Sequence, residues 1–122
     1  MRRINLADGA PFALVTVWCP EEYGAELSRA DVERSPFYEL LPVPLGGATQ
    51  TIGAALATAS EAELLRVPPG SAVLRCERTT RSVDEVPVLL SEHVFPAHLT
   101  VFEVDLPHVE ASMALTGLRL VE

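Results

Sequence analysis

Three histidines, two cysteines and several acidic pairs are the residues of this chain with the plainest capacity for chemistry. His93 and His98 stand five positions apart, with His108 ten further on. A helical metal pair needs i,i+4 spacing, and neither Cys19 nor Cys76 lies near enough in sequence to complete a ligand set. The histidines therefore read as surface or hydrogen-bonded side chains. Glu21/Glu22, Asp31/Glu33 and Glu61/Glu63 fall where helices are expected to start, and carboxylates there favour the positive end of the helix dipole. They read as solvated structure, not as a general acid and base. Gly46-Gly47 followed by Gly53 matches neither the dinucleotide fingerprint nor a phosphate loop, since no Lys-Ser/Thr follows. A G-x-S-x-G nucleophile elbow is missing as well. No catalytic residue, metal site or cofactor is expected, and the residues alone lead to a chain that is not an enzyme.

Charge narrows the partners. All nine basic residues are Arg, they are scattered, and 17 acidic residues bring the net charge to −8. Phosphate backbones are bound by clustered Lys and Arg, so this chain is not expected to bind nucleic acid by itself. With 48% hydrophobic residues in 122, it has material for one folded domain spanning residues 1–122. No apolar run approaches the roughly 20 residues of a membrane span, so no membrane partner is expected. The first residues, Met1-Arg2-Arg3-Ile4-Asn5, lack the apolar core of a secretory signal. The two distant cysteines then read as free thiols in a cytoplasmic protein.

The elements that must position any site follow from pattern. Ala7-Asp8-Gly9-Ala10 is hairpin-turn chemistry between two strands, the second running from Phe12 to Cys19 and ended by Pro20. Pro20 to Tyr23 and Leu27 to Arg34 read as helical turns. Ser35 is the expected N-cap of a short helix in which Phe37, Leu40 and Leu41 face inward. Ala48 to Thr58 reads as a strand. Ser60 and Glu63 are spaced as a capping box at the start of another helix, which Val67-Pro68-Pro69-Gly70 ends. Ala72 to Thr80 alternates, with Ala72, Leu74 and Cys76 on one face and Arg75, Glu77 and Thr79 on the other. Asp84-Glu85 turns the chain into a strand from Val86 to Phe95. Val101 to Asp105 reads as a further strand, and His108 to Glu122 as a helix and a strand. The fold class is α+β, an antiparallel sheet with short helices inserted.

The order of segments resembles the UTRA (UbiC transcription regulator-associated) domain, the effector-binding module of GntR-type regulators of the HutC subfamily. The resemblance rests on Arg3-Ile4-Asn5-Leu6-Ala7-Asp8-Gly9-Ala10-Pro11, the strand ending Cys19-Pro20, and Ser35-Pro36-Phe37-Tyr38-Glu39-Leu40-Leu41. It continues through Ala59 to Leu74, Arg78-Thr79-Thr80 and Val86-Pro87-Val88, ahead of Phe95 and Phe102. It implies a chorismate lyase-like fold and a homodimer that binds a small-molecule effector. It also implies DNA contact only through a winged-helix domain absent from this chain. The first part of the effector domain, before Arg3, is expected to be missing too. The alternatives are a chorismate lyase-like enzyme on the same fold and a free-standing ligand-binding module.

Departures from the family pattern bear on the ligand. Sugar-phosphate-binding members resemble this chain with an Arg-x-Arg pair where Arg3 and Asn5 stand; here only the first Arg remains. Val15 and Leu89 occupy positions of carboxylates, and Phe95 that of a tyrosine. Ser35 and Tyr38 are retained, with one extra residue between the matching positions. Strand alternation places Leu89, Ser91, His93 and Phe95 on one face. The resemblance thus implies a ligand site of Arg3, Asn5, Val15, Ser35, Tyr38, Leu89, Ser91, His93 and Phe95. Its apolar members either wall the site or simply fill the core. The implied effector is less polar than a phosphosugar: a small carboxylic acid or an aromatic metabolite.

Overall fold

A computed structural model of the chain describes residues 1–107. Five strands form one antiparallel sheet: β1 (Arg2–Ala7), β2 (Ala10–Trp18), β3 (Leu45–Leu56), β4 (Ala72–Ser82) and β5 (Pro87–Pro96), in the order β1-β2-β5-β4-β3. Two short helices, α1 (Glu21–Gly24) and α2 (Arg29–Arg34), and a 3₁₀ turn at Phe37–Leu40 lie between β2 and β3. A third helix, α3 (Ala59–Leu65), links β3 to β4. The α+β plan expected from the pattern is the plan observed.

Local chemistry explains the turns. Asp8 and Gly9 both have positive φ, 50° and 80°, the geometry of a two-residue hairpin turn whose twist suits the flanking strands. The Gly46 position is needed for another reason: a Cβ there would stand 2.7 Å from the Ser82 carbonyl oxygen where β3 begins beside the end of β4.

The middle of the sheet is covered on both faces, which divides the core in two, while β1 and β3 at its edges are mostly exposed. Ala13, Val15, Val17 and Leu89 pack with Leu41 on the side of α1, α2 and the 3₁₀ turn, joined by Cys19, Tyr23 and Phe37. Leu14, Val73 and Val94 pack on the other side against Ala62 and Leu65 of α3. Covering both faces blurs the simple in-out alternation of a half-solvated sheet. Hence Val73 is fully buried while Ala72, on the opposite face with Leu74 and Cys76, is exposed.

Several expectations change. Thr58, not Ser60, caps α3: its hydroxyl accepts from the Glu61 amide at 3.1 Å, and the Glu61 carboxylate accepts from the Thr58 amide at 3.0 Å. Ser35 is not an N-cap; it closes α2, its amide donating to the Asp31 carbonyl at 3.1 Å. The third strand begins at Leu45 and ends at Leu56. Residues 101–105 form no strand. Glu61 is not solvated but 6% exposed, held by Arg75. Cys19 and Cys76 are free thiols. The expected tail elements from His108 onward lie outside the described residues.

Candidate functional site

Residues paired across antiparallel strands share a face, so the sheet register alone assembles the candidate site. Arg3 is opposite Val15, Val15 opposite His93, His93 opposite Cys76, and Cys76 opposite Ile52. A neighbouring row runs Val17, Ser91, Arg78 and Gln50. On the other side Asn5 pairs with Ala13, Phe95 with Leu74, and Leu89 with Thr80. Arg3, Asn5, Val15, Leu89, Ser91, His93 and Phe95 therefore lie on one face, the face turned toward α1 and α2. Sequence alternation on β2 and β5 carried most of that grouping.

The other two expected residues sit apart. Ser35, half-buried at the end of α2, has no side-chain hydrogen bond among the described residues. Tyr38 is 54% exposed on the 3₁₀ turn. Of the apolar members, Val15 and Leu89 are buried within the core cluster, and Phe95 is half-buried against it. They act as the floor of the face as well as part of the core.

The charge on this face is one-sided. Its rows carry Arg3, Arg78 and His93 and no carboxylate, in a chain whose net charge is −8. Arg3 donates from Nη1 to the Val32 carbonyl of α2 at 3.3 Å. Arg78 donates from Nε and Nη2 to Gln50 Oε1 at 2.9 and 2.6 Å. Neither guanidinium forms an ion pair among the described residues, whereas Arg29, Arg34 and Arg75 do. The His93 imidazole lies on the Phe95 ring, centroids 5.8 Å apart and planes 15° from parallel, and Phe95 meets Phe102 edge-on at 5.6 Å. Burial holds the His93 pKa below its ordinary 6.5, and the nearby positive charges of Arg78 and Arg3 push the same way. The ring is therefore neutral at pH 7 and presents a flat, weakly polar surface between two cations.

Arg78 was not among the residues expected from sequence. The signal was present: it follows Cys76 by two positions, so alternation puts it on the face of Leu74 and Cys76. Gln50 carried no such signal, because its role depends on the pairing of β3 with β4.

Two clefts adjoin the face. One, about 680 Å³, lies between β1 and α2 and is lined by Arg2, Arg3, Ile4, Asn5, Arg29, Val32 and Glu33 with Met1. The second, about 410 Å³ and more apolar, lies between the end of β2 and the helices, lined by Val17, Trp18, Cys19, Leu27, Val32 and Phe37 among others. Both fall in the size range of small-molecule sites. No group of three His, Cys, Asp or Glu side chains suited to a metal ion occurs among the described residues.

This architecture is shared. A GntR-family transcriptional regulator from Enterococcus faecalis V583 is 22% identical with a TM-score of 0.78, over 86% of this chain and 78% of that one. A protein from Streptomyces coelicolor assigned as a transcriptional regulator is 30% identical with a TM-score of 0.78, over 84% and 69%. The C-terminal domain of the histidine utilization repressor from Pseudomonas syringae pv. tomato DC3000 is 19% identical with a TM-score of 0.74, over 86% and 75%. No curated protein matches the chain. The UTRA domain family model matches residues 1–100, most of the 122-residue chain and all five strands. The chain belongs to the UTRA domain family.

Proposed function

We propose that this domain binds a small anionic effector on the Arg3–His93 face of its sheet. In doing so it controls DNA binding by the winged-helix domain of a GntR/HutC-type regulator, a domain outside residues 1–122. The observation that carries the reading is the positive charge of the strand rows: Arg3 and Arg78 flank a neutral histidine, and the sheet rows of that face hold no carboxylate in an otherwise acidic molecule. Both guanidiniums are exposed, and without a carboxylate partner each keeps donors free for a planar anion. Val15 and Leu89, 2% and 8% exposed, put methyl groups where sugar-binding members are expected to hold acceptors for hydroxyls. This supports a carboxylic acid with an apolar or aromatic body over a phosphosugar.

The role is binding, not turnover. The Cys76 thiol opposite His93 has its pKa raised by burial, which keeps it protonated rather than nucleophilic. For regulation, the effector must bind two states of the regulator unequally; affinity alone shifts nothing. The working unit is a cytoplasmic homodimer.

Thermal unfolding against aliphatic acids, aromatic acids and hexosamine phosphates tests the proposal. An acid at 100 times its Kd stabilises by about 2.7 kcal/mol, a shift of several degrees in Tm, and Arg3→Gln removes the shift. Stabilisation by hexosamine phosphates alone sinks the reading, and release of 4-hydroxybenzoate from chorismate replaces it with an enzyme.

A further inference from the structure

We propose that the bare end of the sheet face shared with α3 is a docking surface for a basic amphipathic helix of a partner. It lies on the opposite side of the sheet from the Arg3–His93 face and does not depend on the effector reading. Strands β2 and β5 pair symmetrically about Thr16 and Glu92. A two-fold axis normal to the sheet at that point exchanges the strands and carries the pair Leu14–Val94 onto the pair Leu90–Trp18. The first pair is buried beneath α3, against Ala62 and Leu65. The second, at the other end of the same face, has no helix over it among the described residues: Trp18 and Leu90 are 50% and 41% exposed. A hollow of about 200 Å³ adjoins them, bordered by Pro20, Thr79 and Pro87. An apolar surface centred on an exposed aromatic ring is the usual core of a protein contact.

Charge selects the partner. Glu92 stands directly opposite Glu77 in the row next to Leu90, and like charges so placed cost stability. Arg75 donates bidentately to Glu61 and reaches Glu92 only at 3.4 Å, while Glu77 has no ion pair among the described residues. Arg2 shares the row beyond Thr16, two strands from Glu92, and pairs with neither carboxylate. A helix laid across Trp18 and Leu90 covers them as α3 covers Leu14 and Val94, and Lys or Arg beside its apolar stripe supplies the missing countercharge. An acidic helix, or a second copy of a chain of net charge −8, meets repulsion there instead.

Trp18 is the single tryptophan of the chain, so its emission reports on this surface directly. The 122-residue chain is titrated with a synthetic peptide of about 15 residues, leucine at i, i+3, i+4 and i+7 and lysine elsewhere. A scrambled peptide of the same composition and a version with glutamate for lysine are the controls. The lysine helix is expected to give a saturable blue shift, with the scrambled peptide at least about tenfold weaker and the glutamate peptide silent. Leu90→Ser weakens the lysine helix about tenfold, and Glu77→Gln about threefold. Both positions are exposed, and an unchanged emission spectrum of the free variant shows that it folds. Equal binding of the scrambled or the glutamate peptide overturns the proposal, as does Trp18 emission that does not move. Unaltered affinity in folded Leu90→Ser overturns it too, and each of these outcomes leaves the effector reading standing.

Discussion

Glu61 serves three donors with one carboxylate. It accepts from the Thr58 amide at 3.0 Å and, bidentately, from Nη1 and Nη2 of Arg75 at 2.8 and 3.0 Å. The Arg75 hydrogen bonds lower its pKa from 4.5 to about 2, outweighing burial, which acts in the opposite direction. The folded state thus binds the proton more weakly than the unfolded chain, so the stabilisation is complete above about pH 4.5 and is lost as the pH falls toward 2. Glu61→Gln is expected to cost about 2 kcal/mol at pH 7, less than a fully dry ion pair because Arg75 keeps partial exposure. Urea unfolding checks it: the gap between wild type and variant should close between pH 4.5 and 2. A gap constant over that range contradicts the assignment. Sequence showed Glu61 only as a helix-start acid, since the partner that holds it lies 14 positions away on strand β4. Arg78 is the converse case: its face was legible from alternation with Leu74 and Cys76, but its lack of an acidic partner depends on three-dimensional neighbours.

Among the elements, α3 shows how two similar signals are decided. Thr58-x-x-Glu61 and Ser60-x-x-Glu63 both have capping-box spacing, and the structure uses the first. Glu61 can close the box while also holding Arg75 of β4, so the earlier start ties the helix to the sheet; Glu63 is exposed. Thr58→Ala should therefore destabilise the domain by about 1 kcal/mol, and Ser60→Ala by less than about 0.5 kcal/mol. Equilibrium urea unfolding distinguishes them, and equal losses would contradict the observed cap. The hairpins were legible for a related reason: Asp8-Gly9 and Asp84-Glu85 are local signals, and Glu85 takes the positive φ of 66° that its turn requires. Val101–Asp105 has strand-like alternation but no place in the sheet, and β-propensity without a paired, half-buried surface yields no strand.

For the molecule as a whole, the strand order matters most. Beta-strand β3, twelve residues long, has no charged side chain and forms one edge of the sheet among the described residues. Edge strands are ordinarily protected by charge, proline or brevity. An uncharged edge on a chain of net charge −8 is where two copies meet with least repulsion, which supports β3 as the contact of the proposed homodimer. Light scattering should give twice the chain mass for wild type and the single mass for Ala54→Lys; an unchanged dimer would place the contact elsewhere. Sequence could supply each hairpin but not the join between them, because Trp18 pairs with Leu90, 72 positions later. That join has a kinetic meaning. The β1–β2 hairpin and the β3–β4–β5 meander each close over short stretches of chain, whereas the β2–β5 seam pays the largest loop-closure entropy and should form late. Arg3 belongs to one half and Arg78 to the other. A ligand on the proposed Arg3–His93 face, whose two residues belong to β1 and β5, is therefore a stitch across the slowest joint in the sheet, and its arrival is registered as two semi-independent halves becoming a single stiff plate.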